Sequence, residues 1–76
     1  MDKTQLLKLE ALRDRAQARR SKAARELAEL QREWGRQAAE PVKALERQLQ
    51  AVVDGWQQAG EWAAQRIRAD AEREMM

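Results

Sequence analysis

From residue 6 onward, apolar and small residues recur at alternating intervals of three and four: Leu6, Leu9, Ala16, Ala23, Leu27, Leu30 and Trp34. Arg13 and Arg20 hold the same series through its thin middle. Such spacing draws one stripe along one side of an α-helix, the heptad pattern of a helix packed on another helix. A second series follows the single proline: Val42, Leu45, Leu49, Val52, Trp56, Ala59 and Ala63, continuing with a small phase shift to Ile67 and Ala71. The pattern predicts two helices, about residues 3–34 and about 41–74. Asp2 followed by Gln5 resembles a capping box at the start of the first.

Between the stripes lies WGRQAAEP. Gly35 suits the position just past a helix end, and Pro41 suits the first turn of a new helix, so residues 35–40 read as a loop. The alternative is one long helix kinked near Pro41. The hairpin is favoured because folding the chain at the loop pairs positions whose numbers total about 76, given the equal rise of both helices. Leu9 then meets Ile67, Ala16 meets Gly60, Leu27 meets Leu49, and Trp34 meets Val42, with Trp56 across from Arg20 and Ala23.

Composition agrees with this reading. Ala, Leu, Glu, Gln, Arg and Lys dominate, while β-branched residues are confined to Thr4, Val42, Val52, Val53 and Ile67. The expected fold is all-α: an antiparallel, coiled-coil-like two-helix hairpin occupying residues 1–76 as a single domain. Two helices on one seam bury too little apolar surface to offset a backbone ordering cost of about 1–2 kcal/mol per residue. Dimerisation into a four-helix bundle is therefore expected.

The chemistry available is narrow. There is no Cys, His or Tyr, and only Ser21 and Thr4 carry aliphatic hydroxyls, so nucleophilic and general-base groups are nearly missing. The usual zinc ligand sets cannot be built, and no EF-hand loop is present. The expectation is a protein that is not an enzyme, with no catalytic residues, metal, cofactor or small-molecule substrate. The opening MDKTQLLKLE mixes charge into a short apolar run, unlike a secretory signal, and no stretch reaches the roughly 18 apolar residues of a membrane span. A cytoplasmic protein without membrane contact is expected.

Charge marks one candidate surface. The chain carries a net charge of only +2, yet Arg13 to Arg25 packs six cations and one acid into thirteen residues. On a helical wheel these do not share a face. Arg13, Arg19 and Arg20 flank the apolar stripe, where their stems can cover Ala16, Ala23 and Trp56. Lys8, Arg15, Lys22 and Arg25 point outward as a possible contact for nucleic acid or an acidic partner. The same back face turns acidic at Glu26, Glu29 and Glu33, whereas a phosphate-tracking strip would stay positive.

In architecture the expected dimer resembles Rop, the plasmid RNA-binding family whose helical hairpins pair into a four-helix bundle. No residue motif carries that resemblance; it implies a nucleic-acid-binding helical dimer as the alternative function. The Leu/Ala/Arg/Glu pattern of residues 6 to 34 also looks like the N-terminal coiled coil of FliJ-type export proteins.

The second helix offers another surface. Trp62 lies about 130° from the centre of its stripe, by the 3.6-residue turn, and so cannot share the seam with Trp56. Ala44, Gln48, Ala51, Gly55, Gln58 and Ala69 surround it, small and uncharged. This face reads as an interface for a second copy or another protein, with Trp62 as its anchor. The expected function is a small protein–protein interaction or regulatory module that self-associates or docks on a partner through this helix.

Overall fold

Asp2 opens the first helix with an extended backbone (φ −80°, ψ 169°). Its carboxylate accepts the Gln5 amide at 2.8 Å and its carbonyl accepts the Leu6 amide at 3.1 Å. One of the amide donors that a helix start leaves unpaired is thereby satisfied. In this computed structural model, which describes residues 2–35 and 39–75, α1 spans Lys3–Trp34. It ends at Gly35, whose φ of 67° and ψ of −166° fall in a region essentially confined to glycine, and whose amide closes on the Gln31 carbonyl at 2.8 Å.

The second helix, α2, spans Glu40–Met75 and starts on the Ala39 carbonyl, which accepts from Val42 at 3.0 Å and Lys43 at 3.2 Å. Pro41 thus lies in the first turn, where its missing donor costs nothing. Glu40, expected in the loop, is helical instead, and its carboxylate takes the Arg47 guanidinium at 3.0 Å. The expected loop also includes residues 36–38, which lie outside the described residues.

The two helices pack on each other as an antiparallel hairpin, and no strand occurs among the described residues. A Cβ added at Gly60 would sit 3.5 Å from the Ala16 methyl, Arg20 Nε donates to Gln57 Oε1 at 3.1 Å, and the Arg19 guanidinium lies 5.3 Å from the Trp56 ring centroid. Facing positions therefore total close to 76, the register expected from the stripes. The kinked rod is excluded.

Most of the α1 stripe packs as expected, with Ala16, Ala23 and Leu27 buried and Leu6, Leu9, Arg13 and Leu30 half-buried along it, but Arg20 is exposed, and Trp34, expected against Val42, is 57% exposed as the last residue of the helix. The α2 stripe does not. Val53 is buried, but Val52 is 45% and Leu45 44% exposed; Glu46 and Gly60 are half-buried, and Asp70 is buried where Ala71 was expected. The seam runs Val42, Glu46, Leu49, Val53, Trp56, Gly60, Ala63, Ile67 and Asp70, four-then-three instead of three-then-four, and needs no phase shift. Gly60 decides this choice. It lies opposite Ala16, where an added Cβ would stand at ordinary contact distance, so residue 60 is on the seam and brings 53 and 46 with it at seven-residue intervals.

This core is slight. Its two residues with no exposure are alanines, Ala16 and Ala63. The Cα envelope measures 55 × 17 × 15 Å, and 6224 Å² of surface meets solvent. A globular monomer of 8.8 kDa would expose about 4,800 Å².

Candidate interaction surface

Positions seven apart stack in rows along packed helices. Beside the α2 seam lies the row Leu45, Val52, Ala59, Arg66, and beyond it the row Gln48, Gly55, Trp62, Ala69. Together they form a second heptad seam about 100° around the helix from the first, by the angle per residue. From Leu45 to Trp62 it carries no charge and spans about 26 Å at 1.5 Å per residue. Leu45, Val52 and Trp62, its large apolar members, are each about half exposed (44%, 45% and 52%). Nothing lies within 4 Å of a Cβ added at Gly55.

The interface residues named from the sequence fall on or beside this seam. Gln48, Ala51, Gly55, Gln58, Trp62 and Ala69 are exposed, and Ala44 is half-buried. Leu45 and Val52, which the sequence pattern assigns to the hairpin core, are the apolar members that the sequence-based interface lacked. The signal for them was the pair Val52 and Val53, adjacent residues that cannot both face α1.

Trp62 is not isolated. The Arg66 guanidinium lies 5.9 Å from its ring centroid, and the indole lines a groove of about 420 Å³ with Lys8 and Leu9 of α1 and Asp70 and Arg73 of α2. That groove also takes in Gln5, which puts Gln5 and Lys8 of α1 on the same side of the hairpin as the second seam, and Leu12 and Arg19 follow Gln5 at seven-residue intervals along that side. The opposite edge is marked by a relay in which Arg20 donates to Gln57 and Gln57 Nε2 donates to Glu61 at 3.2 Å.

Lys8, Arg15, Lys22 and Arg25 are all exposed. Neither Lys22 with Glu26 nor Arg25 with Glu29 closes an ion pair among the described residues, whereas Arg13 pairs with Asp14 at 3.1 Å and Arg47 with Glu40. The side of α1 next to the second seam therefore presents cations at Lys8, Arg15, Arg19 and Lys22, then acids at Glu26, Glu29 and Glu33. No group of three or more potential metal-ligating side chains is gathered among the described residues, and no described helix is long and apolar enough to cross a membrane.

Comparison with known proteins returns no matching family model, no matching curated protein and no matching solved structure. The Rop-like and FliJ-type resemblances thus rest on pattern alone.

Proposed function

We propose that this chain is a non-catalytic protein–protein interaction module that receives a helix along the second seam of α2. The observation that carries this reading is the charge-free seam from Leu45 to Trp62, with three large apolar side chains half exposed on one side of a helix whose other side is already packed. Scattered surface hydrophobes need no explanation, but these share one line with the spacing of a helix-packing face. The excess over a globular monomer, about 1,400 Å², exceeds the roughly 800 Å² that each partner buries in a standard interface. A Rop-like nucleic-acid contact through Lys8, Arg15, Lys22 and Arg25 has less support, because the ridge reverses sign at Glu26.

A photoreactive residue at position 52 tests the reading in cells that make the protein. Covalent adducts to protein should form there and not at Leu7, which is 58% exposed on the other side of the hairpin. Equal adduct yields at the two positions, or none at 52, would contradict it.

A further inference from the structure

We infer that the occupant of the second seam is a second copy of this chain, laid antiparallel so that the two-fold axis crosses the helices at right angles and the two turns lie at opposite ends. This rests on the interaction reading above and adds the partner and its register.

Two independent patterns have nearly the same centre. The first is apolar. Leu45, Gln48, Val52, Gly55, Ala59 and Trp62 are spaced three, four, three, four, three, a series that reads the same in both directions about the midpoint between residues 53 and 54. Reversed onto itself, it sets Leu45 against Trp62 of the second copy, Gln48 against Ala59, and Val52 against Gly55. Val52 then fills the open space above Gly55, where nothing lies within 4 Å. The indole covers a leucine at each end of the contact.

The second pattern is electrostatic. On the neighbouring side of α1, in the rows Lys8, Arg15, Lys22, Glu29 and Leu12, Arg19, Glu26, Glu33, the charge changes from positive to negative between Lys22 and Glu26, while Arg25 lies one row farther out. An antiparallel two-fold placed at that change sets the basic half of one α1 against the acidic half of the other, twice over. A parallel arrangement of the two α1 helices would oppose cation to cation and acid to acid, a like-charge juxtaposition that selects against it.

The centres lie within about two residues of each other in height, about 3 Å at 1.5 Å per residue. Facing positions in the hairpin total close to 76, as Ala16 opposite Gly60 shows, so the level of residues 53–54 on α2 is the level of residues 22–23 on α1. A single axis therefore satisfies both patterns. Both faces also lie about 100° from the hairpin seam and on one side of it, which is the geometry needed to stack two hairpins into a square bundle. Neither pattern is required by the hairpin itself. The area to be covered fits as well, since the surface excess over a globular monomer is enough for a standard interface.

The test combines mass, orientation and charge exchange on the full chain. Sedimentation equilibrium should give twice the 8.8 kDa chain mass. A nitroxide on Glu72→Cys should report a separation of about 55 Å between copies, against less than about 30 Å in any arrangement that puts the two turns at one end, from 1.5 Å of rise per residue. A Glu26→Lys/Glu29→Lys chain and an Arg15→Glu/Lys22→Glu chain should each self-associate about 100-fold more weakly, and their mixture should recover the dimer. These substitutions are exposed and away from the hairpin seam, so each variant should keep its helix content. A monomer at every concentration would overturn the second copy while leaving adducts at position 52 to decide the interaction reading. A dimer with the short label separation, or charge variants that associate like the wild type, would overturn the antiparallel register.

Discussion

Gly60 faces Ala16 across the hairpin so closely that a methyl group placed on the glycine would stand 3.5 Å from the alanine methyl. That separation is the lower edge of the Cβ–Cβ window of a disulfide, about 3.5–4.5 Å. Oxidising an Ala16→Cys/Gly60→Cys variant should give a bridge within one chain, and the bridged protein should melt well above its reduced form. Closing a loop of about 45 residues has a ceiling near 4 kcal/mol in the chain-entropy account. Non-reducing electrophoresis and thermal melts read both outcomes; bridging only between chains would contradict the hairpin.

Gly35 is held where a side chain is penalised, at φ 67° and ψ −166°. Gly35→Ala should cost about 1–3 kcal/mol, the usual strain for this backbone region. Because a Cβ there would meet nothing within 4 Å, the loss would come from backbone conformation and not from a clash. Gly60→Ala is the control: it lies within a helix and its added methyl reaches ordinary contact distance, so it should leave the melting temperature unchanged or raise it.

Trp56 and Trp62 should behave differently. The first is half-buried on the hairpin seam beneath Arg19; the second is 52% exposed on the outer one. Trp56→Ala should lower hairpin stability by about 2–3 kcal/mol, since it empties part of a thin core, and Arg19→Ala by only about 0.5–1 kcal/mol. Trp62→Ala should leave the helix content of the isolated hairpin intact while weakening association. Circular dichroism melts and sedimentation, run on all three, would count against this assignment if Trp62→Ala affected only the fold and Trp56→Ala only the assembly.

The hairpin was legible in the chain because its signals are local and redundant: Asp2 at a helix start, Gly35 and Pro41 at the break, and stripes of matching length on either side. The phase of the α2 stripe was not. Val42, Leu49, Trp56 and Ala63 belong to both possible alternations, and choosing the more apolar one puts Leu45 and Val52 in the core in place of Glu46 and Val53. Hydrophobicity alone cannot separate two seams on one helix when each is meant to be covered. The register can, because Gly60 opposite Ala16 puts residues 60, 53 and 46 on the seam. The buried Asp70 was missed for a related reason, since a charged residue in a seam runs against the rule that apolar side chains fill it. Trp62 was placed outside the hairpin seam by its angle, but its groove with Lys8, Leu9 and Asp70 depends on the relative rotation of two helices, which periodicity along one chain does not contain.

The slender antiparallel form also sets the order in which the chain assembles. Every contact between the helices encloses all those nearer the turn: Leu27 and Gln50 line one groove near the turn, Ala16 faces Gly60 farther out, and Leu9 and Asp70 line another groove near the open end. Each outward step closes a longer loop when made alone, yet adds only a short one when the inner contacts already stand. The low-cost route is a zipper that starts beside Gly35 and runs to Asp2. Amide exchange should then slow steadily from Leu6 toward Leu27 along α1, with the free ends opening first and most often.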